Sequence, residues 1–341
     1  ILICTILLTL IGTVALFSAT QNTEYDELKK QIMWIFISIP FLIMAIVIDY
    51  ESIAKVSPVF YGVFLILLIA VLFTESVNGA SSWFNLGPFS FQPSEFAKIF
   101  VILTFSYAVT KVQEKGRDEI SRPIMLALLL LIIAVPVLLI IKQPDYGTAI
   151  AFLMSTVMIL FTAGIKKRYV ITAVVVVIVL APLLYFFILP EHAKTRIDVF
   201  LNPNLDPRGS GYNIIQSKLA IGAGQLFGMG ILKGNQTQLG FLYPKTTDFI
   251  FAVIGEEMGF VATAMIVVIY VILITKAVYV AKTAKDDLGS YIAMGIAGIF
   301  LFHMIENIGM TIGLLPITGV PLPFVSYGGS SLLTNFILVG L

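Results

Sequence analysis

One carboxylate stands where the chain passes from polar into apolar sequence. Asp248 ends the polar insert 190–248, and the apolar run FIFAVIG follows it directly. A carboxylate held there could accept a proton as a general base, because partial burial would raise its pKa toward the useful range. Asp248 could instead cap the helix that follows it. The position therefore predicts either proton transfer or a helix start.

A charged pair precedes another apolar run, in the sequence QPSEFAK. Pro93 suits the first position of a helix, and Glu95 and Lys98 then share one helix face, about 5 Å apart along the axis. The pair could act on a substrate. Alternatively, it could form an interfacial salt bridge that anchors the end of the helix.

The short connector KQPDYGT carries a further group of polar side chains. Pro144 and Gly147 shape the turn, and the connector is so short that Lys142 and Asp145 must lie at the membrane surface. These side chains could belong to a site at that surface. The simpler interpretation is a plain turn in which Asp145 caps the next helix.

The insert supplies cations that suit an anionic ligand such as a phosphate. The alternative is that they contact lipid phosphates only. Segment 213–227 has apolar residues at helical spacing, which predicts a short amphipathic helix lying on the membrane. The insert's candidate cationic and imidazole residues include His192, Arg196, Arg208, Lys218, Lys233 and Lys245.

Ionisable residues also occur inside two apolar runs. Glu256 and Glu257 lie in one run, and His303, Glu306 and Asn307 share a helix face in the next. Such groups are costly in a membrane and should face a partner or a wet cavity. They could form a proton or ion path. Alternatively, they could make interhelical bonds that fix these two runs, the predicted eighth and ninth spans, together.

The composition places all of these residues in a membrane protein. Of the 341 residues, 58% are hydrophobic and 12% are charged, whereas soluble proteins carry roughly 25% charged residues. Repeated apolar runs of about 20 residues predict an all-α, polytopic fold. The net charge of +1 argues against a nucleic-acid partner, and the single Cys4 excludes a disulfide framework. Zinc spacings, a Gly-Xaa-Ser-Xaa-Gly elbow and a Walker loop are all absent from the sequence.

About ten spans are predicted within a single membrane domain, 1–341, with a large loop, 190–248, between the seventh and eighth. Residues 1–19 are interpreted as a retained first span rather than a signal peptide. The predicted spans are 1–19, 31–48, 57–73, 94–110, 123–141, 147–163, 169–189, 249–275, 289–314 and 328–341.

The connectors between these spans differ in charge. One alternating set carries eleven Lys and Arg residues, and the short connectors of the other set carry four. The positive-inside rule makes the first set cytoplasmic, so the insert faces outward. Gly, Pro, Trp and polar residues are concentrated in the outward connectors, which predicts chemistry at the outer membrane surface.

Several long runs resemble the SEDS family, named for shape, elongation, division and sporulation. They include QPSEFAK, QPDYGTAI, DPRGSGYNIIQSKLAIGAG and TTDFIFAVIGEEMGF, followed by FVSYGGSS at Phe324–Ser331. The order of the runs matches the family over nearly the whole chain. The RIDVFLNP and TTDFIFAVIGEE runs are more similar to the elongation branch than to the division branch.

The resemblance implies a ten-span peptidoglycan glycosyltransferase of the bacterial inner membrane that polymerises lipid II. The family's essential Asp maps onto Asp248, its functional Glu and Lys onto Glu95 and Lys98, and a further Asp onto Asp145. The implied partners are the nascent glycan strand, a class B penicillin-binding protein, the elongation machinery and membrane lipids. No cofactor is certain, and a divalent cation, Mg²⁺ or Mn²⁺, is allowed for.

On this hypothesis Asp248 is the general base, and Glu95 orients Lys98. The remaining predicted substrate-binding residues are Lys98, Lys142, Asp145, Arg196, Lys218 and Ser326, of which the cations would offset pyrophosphate charge. One rival hypothesis is a lipid II flippase or other transporter that works through its intramembrane carboxylates. Another is a scaffold whose outward loops only recruit a partner.

Overall fold

The computed structural model describes residues 1–74, 81–86, 89–207 and 209–341, and these are almost entirely helical. Ten long helices in the described residues coincide with the ten predicted runs to within several residues at most ends. They are α1 (Leu2–Ala19), α2 (Asp26–Val47), α3 (Tyr50–Ala70), α4 (Pro93–Gln113), α5 (Pro123–Lys142), α6 (Tyr146–Thr162), α7 (Lys167–Leu183), α11 (Ile250–Thr283), α12 (Asp287–Thr311) and α13 (Gly329–Gly340).

Seven of these helices are long and apolar enough to cross a membrane. Helices α6 and α13 are apolar but shorter, and α4 begins with the polar sequence PSEFAK. The predicted all-α, multi-span fold is confirmed, while the number of crossings stays a prediction.

A small antiparallel hairpin was not predicted. Strands β1 (Phe84–Leu86) and β2 (Phe89–Phe91) pair between α3 and α4, with Phe84 opposite Phe91. Aromatic residues favour strands, but three residues are too few to show an alternating pattern. The hairpin leads directly into α4, and Ser330 of α13 donates a hydrogen bond to the carbonyl of Ser90.

Helices α4 and α12 form the centre of the bundle, and α7 lies at its edge. In α12, 67% of the apolar stretch is buried, whereas among the described residues of the apolar stretch of α7 none is. Helix α12 packs against α6 through small residues. A Cβ at Gly298 would lie only 2.9 Å from Cα of Ser155, so glycine allows the two backbones to approach.

The insert contains α8 (Glu191–Leu201), α9 (Ser210–Ala223) and the short α10 (Asn235–Gln238). Helix α9 corresponds to the predicted amphipathic segment, but it packs on α11 rather than lying only on a membrane. Ile214, Ser217 and Ala220 are buried, and the Ser217 hydroxyl donates to the carbonyl of Thr311 at 2.7 Å.

Helix α11 is broken at Gly259, where φ is +78°. The carbonyls of Glu256 and Glu257 would normally accept from residues 260 and 261, but they accept from Met229 and Gly230 of the insert. The N–H groups of residues 260 and 261 donate to the carbonyls of residues 225 and 226. Two helical bonds are thus replaced by four bonds to the insert, so the break leaves these four backbone groups paired, as burial requires.

Candidate active site

The turn that carries Asp248, here called the aspartate turn (Thr246–Asp248), is held by two other parts of the chain. The Ser326 hydroxyl donates to the carbonyl of Thr247 at 2.6 Å, and the Tyr327 N–H donates to the carbonyl of Thr246 at 2.9 Å. From α12, the Asn307 amide donates to the carbonyl of Asp248 at 3.0 Å. The backbone of the turn is therefore fixed by residues distant in sequence.

The side chain of Asp248 is only partly buried. Helix α11 begins after Phe249 and has no side-chain cap, so Asp248 does not serve as its cap. Burial raises the pKa of Asp248 from 3.8 to about 6, although a hydrogen bond with Thr247 and the positive charge of Arg196 both oppose the rise. A carboxyl group with this pKa is ionised at neutral pH yet basic enough to accept a proton.

Glu95 and Lys98 form a buried ion pair on the first turns of α4. Their side chains are 2.8 Å apart and are 2% and 0% exposed. The predicted salt bridge at the start of the helix is therefore present, and both of its side chains are buried inside the bundle. On its other side, the Lys98 amine lies 3.5 Å from Nε2 of His303.

Asp145 caps α6, as one of its two interpretations predicted. Its carboxylate accepts from the N–H of Thr148 at 3.1 Å and from the amide of Gln92 at 3.2 Å. Burial raises the pKa of Asp145, and among the weaker influences the charge of Glu95 raises it and that of Lys98 lowers it. Asp145 and the Glu95–Lys98 pair therefore belong to one electrostatic cluster.

A connecting strip, residues 318–321, lies between this cluster and Asp248. A Cβ on Gly319 would lie 3.5 Å from Oδ2 of Asp248. On the other side, a Cβ on Gly147 would clash with the side chain of Val320. The strip therefore contacts both the aspartate turn and the start of α6, two residues from Asp145.

The polar face of α12 holds this strip in place. Glu306 accepts from the Thr318 hydroxyl at 2.7 Å, and Asn307 donates to the carbonyl of Val320 at 2.8 Å. Nδ1 of His303 lies 3.0 Å from the carbonyl of Pro321. These contacts favour the structural interpretation over a proton path, but the partner is the strip and not the eighth span.

Glu256 and Glu257 bind the insert, and neither joins the eighth span to the ninth. Glu256 accepts from the N–H of Gln236 at 2.7 Å and from the N–H and hydroxyl of Thr237 at 3.0 and 2.7 Å. Glu257 accepts from the Ser18 hydroxyl at 2.7 Å and from the amide of Gln238 at 2.9 Å. Their carboxylates anchor the insert to α11 and α1.

The predicted cations occupy different environments. Arg196 is partly buried in α8 and acts electrostatically on Asp248. Lys142 and Lys218 are exposed, and the Lys218 side chain runs past Gly313 at the end of α12, where a Cβ would lie 2.3 Å from Nζ. His192 and Arg208 lie outside the described side chains.

Ser326 is 5% exposed, and its hydroxyl both donates to Thr247 and accepts from the N–H of Leu322 at 2.8 Å. These contacts are those of a residue that holds the aspartate turn. Because the hydroxyl is already bonded within the protein, the structure does not support the prediction that Ser326 binds substrate.

Gln31 of α2 and Gln92 were missed as candidates. The buried Gln31 amide donates to the carbonyl of Ser326 at 3.2 Å and accepts from the N–H of Gly328 at 3.3 Å. It thereby grips the FVSYGGSS run that holds the aspartate turn. A lone amide inside an apolar run is itself a signal, because such groups need a partner. Gln92 immediately precedes Pro93, and its side-chain amide donates to Asp145.

In the described part of the chain, no group of three or more His, Cys, Asp or Glu side chains is arranged to hold a metal ion. The described residues therefore identify no ligands for the divalent cation that the sequence analysis allowed for.

Two named relatives match most or all of the chain. It is 40% identical over 280 residues to the peptidoglycan glycosyltransferase MrdB of Escherichia coli strain K12, covering 81% of this chain and 74% of that protein. It is 36% identical to the probable peptidoglycan glycosyltransferase FtsW of Trichlorobacter lovleyi, covering 100% and 91%.

A solved structure has the same fold. The work that describes it concerns the structural coordination of polymerization and crosslinking by a peptidoglycan synthase complex. The two chains align with a TM-score of 0.86 and 27% identity, covering 99% of this chain and 94% of that one. A family model described as cell cycle protein, FtsW/RodA/SpoVE, matches residues 1–341. The chain therefore belongs to this FtsW/RodA/SpoVE family, the SEDS proteins.

Proposed function

We propose that this chain polymerises lipid II into glycan strands, with Asp248 as the general base. The single observation that carries the proposal is the state of Asp248. Its backbone is fixed by α12 and by the FVSYGGSS run, while its partly buried carboxyl group has a pKa of about 6. Peptidoglycan glycosyltransferase activity itself follows from family membership and from the names of both relatives.

The proposed reaction joins two lipid-linked sugars. Asp248 accepts the proton of the GlcNAc 4-hydroxyl of an incoming lipid II as that oxygen attacks the anomeric carbon of the terminal MurNAc of the growing strand. The bond from that carbon to the pyrophosphate oxygen breaks, and undecaprenyl pyrophosphate leaves with the bonding electrons. Attack from the face opposite the leaving group inverts the anomeric centre. General-base catalysis of this kind contributes roughly 10²–10⁴-fold.

The leaving group needs positive charge rather than a second carboxylate. Arg196 is the cation that acts on Asp248 in this structure, and the exposed Lys142 and Lys218 can reach an anionic headgroup. Lys98 is fully buried against Glu95, so we assign it to the support of the site rather than to direct contact with pyrophosphate.

We place the site on the outer face of the bacterial inner membrane. The Lys and Arg distribution supports this orientation, and polyprenyl-linked substrates need a site that is open to lipid. A class B penicillin-binding protein is the proposed partner, in keeping with the solved complex that coordinates polymerization with crosslinking. Relatives include both MrdB and FtsW. The RIDVFLNP run supports a role in elongation and cell shape.

The test is polymerisation of purified lipid II by the Asp248→Asn variant, with no other glycosyltransferase present. We expect glycan strands to disappear while the variant stays folded. Glu191→Gln is the matched control, because Glu191 is an exposed carboxylate of the same insert. Normal strand formation by Asp248→Asn would overturn the proposed role of Asp248.

The rival flippase hypothesis has less support. Glu256, Glu257 and Glu306 all accept hydrogen bonds that hold the insert or the connecting strip, whereas a transport path needs groups that can change partners. Labelled lipid II crossing liposome membranes decides between the two. Flipping that is lost in Glu306→Gln and kept in Asp248→Asn would favour the transporter.

A further inference from the structure

His303 is a buried imidazole with a partner at each ring nitrogen. Nδ1 lies 3.0 Å from the carbonyl oxygen of Pro321, and Nε2 lies 3.5 Å from the amine of Lys98. The residue is 1% exposed. It therefore bridges α12, the connecting strip and α4, and the proposed reaction does not use it directly.

The two partners determine which nitrogen carries the proton. A carbonyl oxygen only accepts hydrogen bonds, so Nδ1 must be protonated and donate to Pro321. A charged amine only donates, so Nε2 must present its lone pair to Lys98. The result is a neutral imidazole within one directional series, in which Lys98 donates to both Glu95 and His303, and His303 donates to Pro321.

Pro321 ends the strip that contacts Asp248. Gly319 faces the Asp248 carboxylate, and the Asn307 amide bonds the carbonyls of both Val320 and Asp248. A shift of the strip would therefore change the space and the hydrogen bonds around the base. A misplacement of about 1 Å in a catalytic group can cost roughly 10²-fold in rate.

We propose that His303 is a positioning residue that ties the buried Glu95–Lys98 pair to the connecting strip and so sets the position of Asp248. The inference rests on the proposed function, in which Asp248 is the base. It gives the buried ion pair a role without contact to substrate. Loss of the His303 side chain should lower kcat more than it changes KM, because lipid II binding uses other surfaces.

Three substitutions separate this role from simple packing. His303→Gln keeps a donor and an acceptor on one side chain. His303→Asn keeps a donor toward Pro321 but is too short to reach Lys98. His303→Leu fills similar space and removes both bonds. Each variant is assayed for lipid II polymerisation across substrate concentrations, and its thermal unfolding is measured in detergent.

We expect His303→Leu to lower kcat about 10- to 100-fold with KM changed less than about threefold, and His303→Gln to recover most of that loss. Wild-type kcat in His303→Leu would overturn the inference. If His303→Leu does not fold, the other pair decides: His303→Gln must exceed His303→Asn in kcat, and equal values contradict the proposal.

Asp248→Asn is measured in the same assay. An active Asp248→Asn variant would show that the proposed base is wrong. An inactive one, together with a fully active His303→Leu, would show that only the positioning role is wrong.

Discussion

Asp248 lies just before the start of α11, and Glu256 and Glu257 follow eight and nine residues further along the chain, yet their surroundings differ. Each glutamate carboxylate accepts several hydrogen bonds from the insert or from α1. Asp248 is held by its backbone, and its carboxyl group has a raised pKa. The comparison shows that carboxylates close together in sequence differ in what binds them: Glu256 and Glu257 anchor the insert, whereas Asp248 is held through its backbone.

The physical difference lies in how many hydrogen-bond donors and positive charges surround each carboxylate. Several donors bind the carboxylates of Glu256 and Glu257, and removing those carboxylates would leave buried N–H groups without partners. The charge of Asp248 is opposed by burial and is only partly offset by Thr247 and Arg196. A group in this state is suited to gain a proton during a reaction.

The largest expected effect separates activity from stability at Asp248. Asp248→Asn should lower kcat roughly 10²–10⁴-fold, because the amide cannot accept the hydroxyl proton. It should leave the free energy of unfolding at pH 7 unchanged or raise it by about 1–2 kcal/mol, since it removes a partly desolvated charge. Polymerisation and thermal unfolding measured on one preparation check both, and a strongly destabilised variant would contradict the comparison.

The opposite pattern is expected at Glu256. Glu256→Gln keeps one acceptor oxygen and places an amide N–H₂ against the donors of either Gln236 or Thr237. We expect the free energy of unfolding to fall by about 2–3 kcal/mol, with activity per folded molecule largely retained. Thermal unfolding measures the loss of stability, and the polymerisation rate divided by the folded fraction measures the activity per folded molecule. If kcat collapses while the melting temperature is unchanged, Glu256 belongs to the chemistry after all.

The pH dependence of kcat should report Asp248. With a pKa of about 6, the base is ionised above pH 6, so kcat should be flat there and fall about tenfold per unit below it. Because the pKa of Asp248 in the folded protein lies above 3.8, the ionised group destabilises the fold. The free energy of unfolding should therefore fall as the pH rises from about 4 to 6. A pH titration of wild type and Asp248→Asn tests both, since the variant should lack each inflection.

The smallest effect is expected at the exposed cations. Lys142→Ala should raise KM for lipid II about two- to fivefold and leave kcat nearly unchanged, because an exposed cation contributes little to a preorganised site. The increase should shrink at high salt, where exposed charges are screened. A fall of more than tenfold in kcat would place Lys142 with Asp248 rather than at the rim.

Much of the fold was predictable because membrane helices are local structures. A run of about 20 apolar residues predicts a span wherever it occurs, which explains the match of helices α1 to α7 and α11 to α13 to the predicted runs. Polar residues in otherwise apolar sequence also marked the candidates Glu95, Lys98, Asp145 and Asp248. Spacing predicted that Glu95 and Lys98 would pair, and they do.

The sequence by itself determined which residue types and local spacings were available: a carboxylate at the start of α11, a Glu–Lys pair on one helix face and an Asp able to cap α6. Only the tertiary structure decided their states. Contacts between distant segments bury Lys98 and bond Glu256 and Glu257 to the insert. They also bring the Gln31 amide to the carbonyl of Ser326. Those contacts set local solvation and hydrogen bonding, which decide whether a carboxylate anchors a loop or can accept a proton.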